Sequence, residues 1–434
     1  MKKKSISTRK TALKKTILRK LLPLPFIVLS SFLFAQDSTQ HIVPGRSNRA
    51  DQLKKPYIIL ISADGFRYDL ADKYNAENLI RLRSSGVAAD YMLSVFPSLT
   101  FPNHYSIATG DYPDHDGIVD NTFFDPSRDQ IYTIGNRKAV GDSYWYGATP
   151  LWVLAEKQGM LTASFYWVGA DAAIQGVRPT YYYEFNNKIQ MNDRIRDVRN
   201  WLLLPEEKRP HLITFYIPDV DHEEHMHGVN SEQTADAVHY VDHSVGQLVK
   251  TLDSLKLPVS YIFVSDHGMV DIDTLNTLSL PKTIDTSRFV IANSQAIVHL
   301  YARDTVDILP AYKALMSAAK DYDVYLTNRM PARWNYNKQN DRFNRIGDIV
   351  LVSHPPKIFN LYGRRMTTVA THGFDPALMV MHATFYAWGP AFKSKLKIRG
   401  FENINIYPLV TNILQLKITD PVDGNLKVLK PILK

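Results

Sequence analysis

The chain has 434 residues, 45% of them hydrophobic, with no cysteine and a formal net charge of +8. Zero cysteine excludes disulfides and thiolate metal ligands, and a chain of this length can bury a large core instead. The positive balance is local: nine Lys/Arg lie between Lys2 and Lys20 with no acid among them, so the remainder is close to neutral. The overall charge therefore gives no support for a nucleic-acid-binding surface or a membrane surface.

The basic stretch leads into "LLPLPFIVLSSFLFA", residues 21–35, which is shorter than the roughly 20 apolar residues of a membrane span. It ends at the small Ala35 before the polar "QDSTQ". Residues 1–35 read as a cleavable secretory signal, giving a secreted or periplasmic protein with no membrane span in the mature chain. An uncleaved anchor is the competing reading, because the basic region is long and Pro23 and Pro25 interrupt the apolar run. Residues 36–55 are polar and aperiodic, and read as a linker.

Residues 56–434 form the expected catalytic domain. "PYIILISADG" (56–65), "HLITFYIPDVD" (211–221) and "PVSYIFVSDHG" (258–268) are buried strands, each closing on an acid. "AENLIRLRSSG" (76–86) and "TPLWVLAEKQG" (149–159) are helices stopped by glycine, and the stretch after Ser231 has helical spacing with Ser231 as its cap. This alternation predicts an α/β fold with a mostly parallel central sheet and helices on both faces. Residues from about 275 to 370 have a strand-helix-strand pattern of their own and read as a smaller inserted α/β subdomain.

Three strands thus deliver Asp64, Asp221 and the pair Asp266-His267 to the carboxyl edge of the sheet, where open parallel sheets bind ligands. Asp221 and His225 are four apart, close enough to share one ion on a helix, and His372 is a further candidate. Asp and His without Cys suit zinc or a similar divalent ion. Taken alone, a strand-end Asp is commonly a cap or turn residue, and "DVDHEEHMHG" could be a solvated loop. Spacing leaves Asp219, His222, Glu223 and His227 competing with Asp221 and His225.

Thr100 sits where "SVFPSLTFPNHYSIATG" turns into a helical pattern. A threonine hydroxyl is a poor nucleophile until a divalent cation lowers its pKa, and a helix start presents N–H groups to an anion. Thr100 so placed could attack phosphorus or sulfur; the bland alternative is a plain helix N-cap.

The stretches "ADGFRYD", "FPSLTFPNHYSIATGDYPDHDGIVDN", Tyr-x4-Asp-x3-His-x2-Gly at 216–228, "VSDHGM", "THGFDP" and "FYAWGPAF…FENINIYPLVTNILQL" resemble the nucleotide pyrophosphatase/phosphodiesterase family of the alkaline phosphatase superfamily. The resemblance runs from about residue 56 to the C-terminus and looks like a secreted bacterial member. It implies an alkaline-phosphatase-like fold and two zinc ions per chain. One ion would take Asp64, Thr100, Asp266 and His267, and the other Asp221, His225 and His372, with Thr100 as nucleophile. It further implies that Asn121 contacts a phosphate oxygen and that Phe101 stacks on a base. The second stacking ring would be Phe185, with Tyr183 or Tyr182 if the alignment slips. Glu224 stands where the family commonly has glycine.

The implied reaction is hydrolysis of nucleotide phosphodiester or pyrophosphate bonds in small-molecule substrates, releasing a nucleoside 5′-monophosphate through a phosphothreonine. The alternatives are a phosphomonoesterase, a phosphonate hydrolase or a lipid-headgroup phosphodiesterase of the same superfamily. Monoesters need extra cationic groups for the dianion, and no Lys or Arg adjoins Thr100 or Asn121 in sequence.

Overall fold

A computed structural model describes residues 38–434. The expected signal, residues 1–35, lies outside the described residues. Its centre is a nine-stranded sheet whose middle strand, Tyr57–Ala63, is buried along its whole length. That strand runs parallel to Leu212–Ile217 on one side and to Val259–Val264 on the other. Thr162–Phe165 and Tyr181–Tyr183 extend the parallel run beyond Leu212–Ile217. Phe385–Trp388 then joins antiparallel beside Val259–Val264, followed by Val87–Ala89 and Leu396–Ile398. The sheet is therefore α/β and mostly parallel, with one reversed strand inside it.

Two-residue alternation along the middle strand divides the core. Ile58 and Leu60 face one cluster, with Tyr105, Ile107 and Trp152; Tyr57, Ile59 and Ile61 face another, with Val238, Val241 and Leu248 of helix Glu232–Asp253. Ser231 caps that helix, its side chain accepting from the Thr234 N–H. Among the described residues no helix is long and apolar enough to cross a membrane.

Within residues 289–353 lies a separate four-stranded sheet, Phe289–Asn293, Ile297–Ala302, Ile349–Ser353 and Tyr322–Leu326 in spatial order, antiparallel throughout. Helix Ile308–Ala318 packs on it through Ala311 and Leu315, against Val298, Leu300 and Leu351.

Residues 38–55 depart from the expectation of a linker. His41–Ile42 adds an antiparallel edge strand to Tyr181–Tyr182. The buried Asn48 side chain donates to the Glu206 and Arg209 carbonyls and accepts from the Leu161 N–H. Side-chain amides, not apolar periodicity, fix this segment, so a reading based on hydrophobic pattern passes over it.

Candidate active site

The site is assembled at the carboxyl edge of the parallel strands. Asp64 follows Tyr57–Ala63 directly, and Gly65 then takes φ 68°. A Cβ on Gly65 would stand 3.0 Å from the Asp221 Cα and Cβ, so glycine lets these two acid-bearing segments approach. Asp221 lies in the first turn of helix Asp219–His227, which places His225 one turn on and on the same face. Asp266 and His267 follow Val259–Val264 and are fully buried; His372 comes last, from the loop after Ala370–Thr371.

These side chains converge. Asp221 Oδ1 is 3.4 Å from His225 Nε2 and 3.5 Å from His372 Nε2. His267 Nε2 is 2.9 Å from Asp266 Oδ2 and 3.5 Å from Asp64 Oδ1. The rings of His267 and His372 stack with centroids 3.6 Å apart, joining the two halves into one pocket. Asp219, His222, Glu223 and His227 are in none of the groups that bring three ligand atoms together; His227 instead pairs with Glu223.

The histidine tautomers are set from behind. His225 donates through Nδ1 to the Ala370 carbonyl at 2.8 Å, His372 to Ser98 at 3.0 Å and His267 to Gly268 at 3.0 Å. Each Nε2 lone pair is thereby turned into the pocket, the arrangement that holds a ligating imidazole in place. Asp64 Oδ1, Asp221 Oδ1 and Asp266 Oδ2 are buried with no hydrogen-bond partner. Their other oxygens that are engaged take fixed donors: the Tyr216 hydroxyl donates to Asp64 Oδ2 and the Gly65 N–H to Asp266 Oδ1.

The electrostatics follow from three carboxylates in one dry pocket. Burial, then the neighbouring Asp266 and Asp221, push the Asp64 carboxyl well above the usual range. Burial acts the same way on Asp266, but His267 and His104 overcome it and hold that carboxyl well below normal. His225 and His372 likewise hold Asp221 down to about 2 against burial. Burial, with His267 beside it, pushes His372 down to about 3. Unpartnered carboxylate oxygens facing imidazole Nε2 atoms form a donor set suited to a divalent cation, so the residues fit a metal site.

Thr100 is the first residue of helix Thr100–Thr109; the N-cap is Leu99, with no side-chain cap. The plain-cap reading of Thr100 therefore does not describe it. Its Oγ1 lies 3.2 Å from His267 Nε2, at the metal-ligand cluster. Asn121 Oδ1 accepts from the Phe101 N–H at 3.0 Å, which leaves the Asn121 amide hydrogens free to donate beside Thr100.

The aromatic candidates separate. Phe101 is partly exposed, 6.3 Å from Tyr132 between ring centroids. Phe185 is partly exposed too, and its ring lies 6.3 Å from that of Tyr216, the residue that donates to Asp64. Tyr183 points the other way: it stacks on Phe165 at 4.4 Å in the core, with its hydroxyl on Asp197. Tyr182 stacks on His41. Strand alternation sends Tyr181 and Tyr183 inward, so Tyr183 is corrected to a core residue.

Sequence reasoning missed His104. It is fully buried, with Nε2 2.8 Å from Ser62 Oγ and Nδ1 donating to the Thr100 carbonyl at 3.0 Å, 3.3 Å from Asp266 Oδ2. The signal was its place one turn after Thr100 on the same helix.

The model of the type I phosphodiesterase / nucleotide pyrophosphatase family matches residues 58–375, and the chain belongs to that family. Among curated proteins, a venom phosphodiesterase of Crotalus durissus collilineatus is 31% identical over 87% of this chain and 46% of its own length. Human ectonucleotide pyrophosphatase/phosphodiesterase family member 1 is 30% identical over 83% of this chain and 40% of its own length. The chain thus spans about half the length of such relatives, but 80% of an uncharacterised pyrophosphatase/phosphodiesterase of Schizosaccharomyces pombe that is 30% identical. The solved structure of murine ectonucleotide pyrophosphatase/phosphodiesterase 5 superposes with a TM-score of 0.81 at 27% identity, covering 87% of this chain and all of that one.

Proposed function

We propose that the protein is a zinc-dependent phosphodiesterase that cleaves nucleotide phosphodiester or pyrophosphate bonds and releases a nucleoside 5′-monophosphate. The observation that carries this reading is Thr100 at a helix start, its hydroxyl 3.2 Å from a buried histidine whose neighbours hold unpartnered carboxylate oxygens. Support also comes from the murine homologue, solved as an inactive threonine-to-alanine variant in complex with AMP.

Asp64, Thr100, Asp266 and His267 would hold one zinc and Asp221, His225 and His372 the other, together lowering the pKa of a hydroxyl and neutralising charge on phosphoryl oxygens. Thr100 Oγ1 forms the bond to phosphorus as the bond to the leaving group breaks, its proton passing to the departing oxygen, giving a threonine phosphodiester that carries the nucleoside. Water then cleaves that ester, returns the proton to Thr100 and frees the monophosphate. Asn121 donates to a non-bridging oxygen as charge gathers there. Phe101 and Phe185 stack on the base. The N-terminal segment is read as a secretory signal, so the enzyme acts outside the cytoplasm. N-terminal sequencing of the exported protein tests that point, and a start at Met1 would refute it.

The test of function is a parallel assay of zinc-loaded protein on an aryl phosphodiester, the matching monoester and a dinucleoside polyphosphate. Diester and nucleotide cleavage well above monoester cleavage is expected. A monoester preference would transfer the chain to the phosphomonoesterase reading.

A further inference from the structure

The inserted sheet touches the turn that carries Asn121 through a buried polar contact. Asp120 is fully buried, as is His299 of strand Ile297–Ala302. Asp120 Oδ1 accepts from the Ser294 hydroxyl and from the Thr122 N–H at 2.8 Å, while Oδ2 lies 3.2 Å from His299 Nε2. His299 Nδ1 is 2.9 Å from the Ile346 carbonyl. A carbonyl can only accept, so Nδ1 carries a hydrogen, and Nε2 meets the Asp120 carboxylate at hydrogen-bond distance.

A buried carboxylate is costly unless it is paired and hydrogen-bonded, and a junction needing only packing would be met by an apolar side chain. Here the pairing fixes the residue next to Asn121. Asn121 is also held by its own backbone carbonyl, which accepts from Ile134, and by Oδ1 on the Phe101 N–H. Asn121 is thereby held through its backbone, its side chain and its neighbour in sequence.

We propose that His299 and Ser294, acting through Asp120, position Asn121 for contact with the phosphoryl group, which makes the inserted sheet a positioning element of the active site. This rests on the reading of Asn121 given above. A donor is what matters at position 299: glutamine can donate to Asp120 Oδ2, whereas leucine leaves that oxygen without a partner.

The experiment compares wild type, Asn121→Ala, His299→Gln, His299→Leu, Ser294→Ala and each position-294 or -299 change in the Asn121→Ala background. Kinetics on an aryl phosphodiester, melting temperature and zinc content are measured together. His299→Leu is expected to lower kcat on the order of 10-fold or more with KM nearly unchanged, a part of the ~10²-fold that ångström-scale misplacement can cause. His299→Gln should lose less and Ser294→Ala least, with zinc content intact throughout. In the Asn121→Ala background none should lower kcat further. Wild-type kcat in the folded His299 variants, or an equal further loss in the Asn121→Ala background, overturns the proposal. If His299→Leu does not fold, His299→Gln and Ser294→Ala decide by the same two criteria. An unimpaired Asn121→Ala removes the reading of Asn121 and this proposal with it; an impaired Asn121→Ala beside unimpaired partners removes the positioning role alone.

Discussion

In the nine-stranded sheet, Tyr57–Ala63, Leu212–Ile217 and Val259–Val264 run parallel and end at one edge, each followed within a few residues by Asp64, Asp221 or Asp266. In the inserted sheet, neighbours run antiparallel, so successive strand ends fall on opposite sides. Parallel strands concentrate whatever follows them into one crevice, while antiparallel strands disperse it. The first sheet therefore gathers Asp64, Asp221 and the Asp266–His267 pair at one edge, and the second contributes packing plus the contact through Asp120.

That division predicts where substitutions act. The largest effect should come from chelation: stripping metal should abolish turnover and lower the melting temperature, with zinc restoring both and elemental analysis finding two ions per chain. Active protein with one ion or fewer would break the two-metal scheme. Next, Thr100→Ala should lose roughly 10³-fold or more in kcat while keeping metal and fold, whereas Thr100→Ser retains substantial rate because only a methyl is lost. Wild-type protein quenched during turnover of a nucleotide substrate should carry a nucleotidyl adduct on the Thr100 peptide; near-normal turnover in Thr100→Ala would show that the hydroxyl does not attack.

Asn121→Ala should cost about 10²-fold in kcat/KM at unchanged zinc content. Phe101→Ala should weaken nucleotide substrates by roughly 1–3 kcal/mol and a small aryl diester by less, and equal losses would mean that the ring only packs the site. The smallest catalytic effect is expected from the inserted sheet's own core. Leu351→Ala, fully buried beside Leu300 and Leu315, should destabilise by about 2–5 kcal/mol and leave kcat/KM of the folded protein within a few-fold. A collapse of kcat without loss of stability would erase the contrast between the two sheets.

The part of the site legible in the sequence is the part written in local pattern. Asp64, Asp221 and Asp266 were visible because each closes an apolar run, and His225 because i, i+4 spacing on a helix puts two ligands on one face. The resemblance added the choice of Asp221 and His225 over their neighbours, and geometry now separates them through the pairing of His227 with Glu223. What pattern did not reveal was long-range and polar. The Asp120–His299 pair spans 179 residues, and His104 has the pattern of one more helix residue, with nothing local to show that Asp266 lies beside it. Tyr183, the alternative to Phe185 that the resemblance left open, lies on the inward face of its strand, and Asn48 holds its segment by amide contacts that leave no periodic trace.

The strand Val87–Ala89 has a consequence for how the chain acquires its structure. Its two sheet partners, Phe385–Trp388 and Leu396–Ile398, come from about three hundred residues further on. An N-terminal strand must therefore wait for C-terminal ones, and Val259–Val264 lacks its second neighbour until the same moment. Closing so long a loop is slow, and a nascent chain growing at about 5–20 residues per second spends many seconds with these edges open. Folding of the sheet is thus coupled to synthesis of residues 385–398, and a chain truncated before residue 385 would expose the unpaired edge of Val259–Val264 to self-association.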